Sequence, residues 1–159
     1  MIAILIGLIF VFVNIYLGGI NVTPHWLGYA LILWGLSHRP DSEGRGSAMT
    51  VAAVSALASG VLWVAGLFGY GMTFPLGTIL QLLLTYHLLV WCEGLEEMGQ
   101  SHLIGRLRMS WYALAGASVA AVVLGAFLPP LGWVWSAAAF VAAVFYTYTY
   151  FRLSAMVER

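Results

Sequence analysis

LILWGLSHRPDSEGRGSAMTVAAVSALASGVLWVAGLFGY, residues 31–70, shows the pattern that repeats along the chain. An apolar run closes at Ser37 and His38. A short polar loop, RPDSEGRGS (39–47), carries two arginines, and an apolar run of more than twenty residues then begins at Ala48. A helix of about 20 mostly apolar residues is what a bilayer core requires. A polar loop between two such runs reads as a turn at a membrane face.

The rest of the chain has the same character. Of its 159 residues 62% are apolar and 8% charged, against about 45–50% and about 25% in soluble domains. There is no lysine, and six arginines balance six acidic residues. A nucleic-acid binder needs a basic patch, which this balance denies. The one cysteine, Cys92, forbids an internal disulfide and any Cys/His zinc pattern, and reads as a small buried hydrophobe.

Six segments are expected to cross: about 2–20, 24–38, 48–70, 74–92, 109–128 and 131–151. The expectation is an all-α polytopic membrane protein, six transmembrane helices in three hairpins, forming one transmembrane domain over 1–159. The N-terminal run lacks the charged region and cleavage site of a signal peptide and reads as a retained first span. Thr23 with Pro24, Phe74 with Pro75, and Pro129 with Pro130 supply helix-start chemistry. The second span is the shortest; about 22 Å of helix fits one that is extended at an end or partly re-entrant.

Arg39, Arg45, Arg106, Arg108, Arg152 and Arg159 all fall on one side of a six-span arrangement, and the opposite turns hold neither Arg nor Lys. The positive-inside rule then places both termini in the cytoplasm of a bacterial inner-membrane protein. Trp26, Tyr70, Trp133 and Trp135 are expected at the outer interface, and Trp34, Trp91, Trp111, Tyr148 and Tyr150 at the inner one, as an aromatic belt. The run Tyr146–Tyr150 alternates like a strand, but an isolated strand in lipid cannot satisfy its backbone, so helix is expected there.

Two helices carry small residues every four positions: Ala48, Ala52, Ala56 and Gly60, and Ala113, Ala117, Ala121 and Gly125. Such stripes let helix backbones approach closely. The spacing does not say whether each meets another span or another subunit. The leucine-glycine after each even-span proline hints at a threefold hairpin repeat, which the remaining side chains do not follow.

No charged side chain falls near a span midpoint, which weakens an ion-coupled pump, and no hydrolase, metalloprotease or phosphate-loop motif occurs. The fourth span is the most polar. Thr78, Gln81, Thr85, Cys92 and Glu96 fall within about 60° of one another on a helical wheel, a stripe that could line a solute cavity or bond to neighbouring helices. His87 points away from it. It could ligate haem, with His38 as the second axial ligand in reach, contact a quinone, or simply pack. Asn14, Asn21, Thr23 and His25 make a polar outer mouth, a candidate solute entry. The stretch 92–111 carries Glu93, Glu96 and Glu97, then Arg106 and Arg108. Leu95, Met98, Leu103, Ile104 and Leu107 would give it an apolar face able to dock a protein partner.

The motifs PHWLGYALILWGL (24–36) and CEGLEEMG (92–99) resemble those of a group of small six-span proteins of Gram-positive bacteria. In those, a Pro-Asp-x-x-Gly-Tyr-x-Leu-Ile pattern runs on to Gly-Leu. Pro24, Gly28, Tyr29, Leu31, Ile32, Gly35 and Leu36 match, and His25 departs by replacing the acidic residue. The resemblance implies a six-span fold with no activity attached. Size and span count also resemble the substrate-capture subunits of energy-coupling-factor vitamin transporters, whose small-residue motif in helix one has no counterpart here.

The sequence thus favours a solute-binding or transport-related subunit without enzymatic chemistry. An accessory subunit of a larger membrane complex comes second, and a haem- or quinone-binding redox protein third. It specifies no cofactor.

Overall fold

The computed structural model describes residues 2–13, 16–17, 20–21, 24–39, 42–68, 74–94 and 101–157. They form six helices and one small hairpin: α1 (Ile2–Phe12), β1 (Tyr16–Leu17), β2 (Ile20–Asn21), α2 (His25–Ser37), α3 (Arg45–Leu67), α4 (Phe74–Glu93), α5 (Ser101–Phe127) and α6 (Pro129–Val157). Four helices are long and apolar enough to cross a bilayer, over Arg45–Gly66, Leu76–Glu93, His102–Phe127 and Pro129–Ala155.

The first two expected spans come out differently. α1 stops at Phe12 instead of running to residue 20, and antiparallel β1 and β2 follow it, pairing Tyr16 with Asn21 and Leu17 with Ile20. At 1.5 Å per residue α1 is about 17 Å long and α2 about 20 Å, both short of the roughly 30 Å hydrocarbon core. Pro24 sits at the N-cap of α2 in extended conformation, one position before its expected place in the first turn. Apolar composition alone cannot register this break, because Leu17 and Ile20 are as apolar in a hairpin as in a helix.

The chain divides into two compact units, Met1–Trp91 and Cys92–Arg159. In the first, α2 packs on both α1 and α3. Glycines set the α1–α2 approach. A Cβ added at Gly7 would lie 2.6 Å from the Gly28 carbonyl oxygen, one at Gly28 2.7 Å from that of Gly7, and one at Gly35 2.5 Å from the Ile4 side chain. These contacts align the helices antiparallel, with Ile4 level with Gly35 and Val11 with Gly28. On α3, Ala48 and Ala52 are fully buried, and Gly60 lies under Trp26, whose Cβ would stand 3.7 Å from a Cβ at Gly60. The first small-residue stripe therefore serves α2, and the expected pairing of α3 with α4 as a hairpin is not where that stripe is used.

In the second unit α5 and α6 form a long antiparallel pair. On α5 the inward positions are Leu103, Leu107, Ser110, Leu114, Ala117 and Ala121; on α6 they are Gly132, Ser136, Ala139, Ala143, Tyr146, Tyr150 and Leu153. The steps alternate between three and four, the 3.5 period of a left-handed two-helix seam. A Cβ at Gly132 would come within 2.6 Å of the Gly125 Cα. That contact fixes the register, bringing Ala121 level with Ser136, Leu114 with Ala143 and Leu107 with Tyr150. The seam is built of glycine and alanine near the turn and of leucine and tyrosine at the arginine-bearing end. Of the second stripe, Ala117, Ala121 and Gly125 serve this seam, whereas Ala113 is exposed.

Within α6, Thr147 and Thr149 donate to the carbonyls of Ala143 and Phe145 at 2.9 and 2.8 Å. The alternating Tyr-Thr run is thus helical, its hydroxyls satisfied by the preceding turn.

Gly132→Val is expected to force α5 and α6 apart, costing about 1–3 kcal/mol. Gly116→Val, where an added Cβ meets nothing within 4 Å, is expected to stay near wild type. Thermal unfolding midpoints of the two variants in the same detergent check this, and equal midpoints would refute the seam.

Candidate functional site

The inward face of α4 carries the polar stripe that the sequence singles out. Thr85 is fully buried, Cys92 is 1% exposed, and Thr78 and Gln81 are half-buried, while Leu76, Ile79, Leu83 and Tyr86 form the exposed face. The polar stripe therefore lies on the buried side of α4. Glu96 lies outside the described residues. The Thr85 hydroxyl donates to its own helix, to the Gln81 carbonyl at 2.9 Å and the Leu82 carbonyl at 3.1 Å. That bond shields the hydroxyl without abolishing its acceptor lone pairs.

The outer mouth is changed by the early end of α1. Asn14 and Thr23 lie outside the described residues, and Asn21 sits in β2. His25, a candidate solute contact, is spent on structure: its Nδ1 meets the Phe10 carbonyl oxygen at 3.1 Å. Phe10 belongs to the last turn of α1, where carbonyls lack intrahelical partners. With its proton on Nδ1, the imidazole caps the end of α1 from the start of α2.

His87 is half-buried beside Tyr86, ring centroids 5.5 Å apart, and its Nδ1 has no hydrogen-bond partner among the described residues. The partner proposed for it on haem, His38, is exposed and turned onto its own helix end. Its Nδ1 lies 2.9 Å from the Trp34 carbonyl oxygen and 3.2 Å from Ser37 Oγ, and its ring lies edge-on to Trp34. The structure does not assemble these two histidines into an axial pair. Among the described residues no group of three or more His, Cys, Asp or Glu could hold a metal ion.

The 92–111 segment is only partly free for a partner. Leu103, Ile104 and Leu107 are buried at 0–2% exposure on the inward side of α5, so the expected docking face is already covered there; Leu95 and Met98 lie outside the described residues. Glu93 and Arg108 pair at 2.7 Å, which accounts for one acid and one base of that stretch.

One feature escaped the sequence. Trp91, expected at the inner interface, is 1% exposed, and its indole N–H donates to Ser42 Oγ at 2.9 Å. Beside it Gly44, at φ +80°, begins α3; a Cβ there would stand 3.1 Å from the Trp91 backbone. The α2–α3 loop is thereby pinned onto the last turn of α4. Tyr150, also expected in the belt, is likewise buried. A Trp beside a Ser-Glu-Gly loop carries no spacing signal, since the two lie 49 positions apart.

Trp91→Phe removes that donor and is expected to cost about 1 kcal/mol and to speed tryptic cleavage after Arg45, measured by limited proteolysis in detergent. Unchanged cleavage would show that the loop is held by other contacts.

No family model matches this chain, and no curated protein or solved structure matches it.

Proposed function

We propose that this chain is a multi-pass inner-membrane subunit that binds a small neutral or weakly polar solute along the inward face of α4, in a transport-related role without bond-making chemistry. The observation that carries it is the asymmetry of α4. Its exposed face is Leu76, Ile79, Leu83 and Tyr86, while Thr78, Gln81 and Thr85 are gathered on the inward one. Polar side chains inside a membrane are costly and sit where a partner or a wet cavity repays them. Thr78, Gln81 and Thr85 are all uncharged, which fits an uncharged ligand. The arginine distribution orients the chain with both termini in the cytoplasm.

A second reading, as an accessory subunit, draws on a different surface. Gly105, Met109, Ala113 and Gly116 are exposed in steps of three and four along α5, and added Cβ atoms at the two glycines meet nothing. That is a face on which another helix packs closely.

Native mass spectrometry of protein drawn gently from its own membrane tests both. The wild type is expected to carry a small-molecule adduct that Gln81→Leu with Thr85→Val loses. An adduct retained by the double variant, or none on either, rejects the α4 site. Additional protein chains on both favour the accessory reading.

A further inference from the structure

We infer that the arginine-free side of the first unit holds a water-filled recess reaching about 10 Å into the bilayer, a depth taken from helix rise. Its floor is the start of α2 and the end of α1, and its walls are the β1–β2 hairpin and the last two turns of α3. Trp26, the second residue of α2, lies against Gly60 of α3. From there α3 runs on through Val61–Leu67, about 10 Å further. Val61, Val64 and Phe68 on that extension are 68%, 48% and 76% exposed. So large an apolar surface belongs in lipid, which sets the start of α2 well below the membrane face.

Helix ends at that depth present backbone groups that hydrocarbon cannot satisfy. The described contacts answer some of them. The Ile9 carbonyl accepts from Val13 N–H at 2.9 Å, the Phe10 carbonyl takes His25 Nδ1, and Leu27 N–H donates to the Pro24 carbonyl at 2.9 Å. Pro24 as N-cap contributes no side-chain bond to the first turn of α2. Between α1 and α2 the chain forms a two-stranded hairpin whose β2 touches α3. A two-stranded ribbon pairs only its inner edges, and its outer N–H and C=O groups need water or protein. Irregular backbone at membrane depth is tolerated where it lines an aqueous cavity. The occupant is water, and with it small polar solutes carrying hydrogen-bond donors and acceptors. The inference stands apart from the α4 site, since its test reads water access and not binding.

The test is reaction with a charged, membrane-impermeant maleimide in sealed vesicles of both orientations. Single cysteines go into a Cys92→Ala background at Pro24, Asn21 and Val64. A thiol reacts as thiolate, which lipid suppresses. Pro24→Cys is expected to react from the same side as Asn21→Cys, within about tenfold of its rate, with Val64→Cys at least about a hundredfold slower. Val64 lies nearer the membrane face than Pro24, so this order requires water to pass below lipid-covered α3. Equal silence at Pro24 and Val64 overturns the recess, and so does equal reaction at both, which would lift that end of α3 out of lipid. Hydrogen exchange on the unaltered protein in nanodiscs guards against misfolded variants. Amides of His25–Gly28 are expected to exchange well before those of Val61–Val64, and matching protection would overturn the proposal.

Discussion

A backbone amide placed in hydrocarbon has no partner but the chain it belongs to, and almost every feature of this molecule answers to that constraint. Inside the long helices it is met by the helical ladder. Several serines and threonines there return their hydroxyls to the turn before: Thr50 to Gly46, Ser59 to Ser55, Thr85 to Gln81, Ser136 to Gly132 and Ser154 to Phe151. Such bonds make a polar side chain tolerable in lipid without another helix supplying a partner. They also mean that a threonine on a helix face is weak evidence for a ligand, since its hydroxyl is already bonded within its own helix. The constraint is harder to meet where helices stop, and there the structure spends specific groups, with His25 on the end of α1 and Trp91 on the loop that enters α3.

Packing in lipid has no hydrophobic force to draw on between helices, so close backbone approach and dispersion must do the holding. The two units use the same device on different schedules. In the first, glycines lie at intervals along the α1–α2 contact, at Gly7, Gly28 and Gly35, so close approach is sustained along most of two short helices. In the second, glycine meets glycine only next to the turn, at Gly125 and Gly132, and the seam broadens through alanine to Leu107, Tyr146 and Tyr150. A seam anchored by small residues at one end and filled by large ones at the other concentrates its backbone contact near the turn. Substitutions there act on the whole pair, because that contact sets the register on which the later layers depend.

The sequence carried the existence of α3, α4, α5 and α6 well because they announce themselves by length and apolarity, but not all their ends: α5 begins at Ser101 instead of about 109 and holds Arg106 and Arg108 within it, and α6 runs past 151 to Val157. It also carried the two small-residue stripes, since a four-residue repeat of Ala and Gly is visible without partners, although the partners themselves, α2 for one and α6 for the other, depend on tertiary contacts. What it did not carry was the height of α1 and α2. The arginine argument is one of parity: losing a single span would scatter the charges, but shortening two neighbours that enter and return leaves every arginine on its side. Hydropathy is equally blind, because Tyr16, Leu17 and Ile20 count as apolar whether helical or paired. Aromatic position misled for a related reason. Belt statistics place a tryptophan at a depth, not on a face, and Trp91 and Tyr150 turned inward.

Within the α4 stripe the candidate groups are not chemically equal. The Thr85 hydroxyl is occupied by carbonyls one turn back, and a single donor is all a hydroxyl has to place. A carboxamide carries two N–H donors and an acceptor, which is more than one turn of helix can absorb. Gln81 is therefore the side chain on this face whose burial most demands a partner from beyond its own backbone, whether a neighbouring helix or a solute. Its neighbours Leu80 and Leu84 are buried and cannot hydrogen-bond. If the face discriminates among ligands, the discrimination rides on the geometry of that amide, with the threonines setting the width of the space around it. An uncharged solute offering both a donor and an acceptor to Gln81 fits this arrangement, whereas an ion would find no countercharge among Thr78, Gln81 and Thr85.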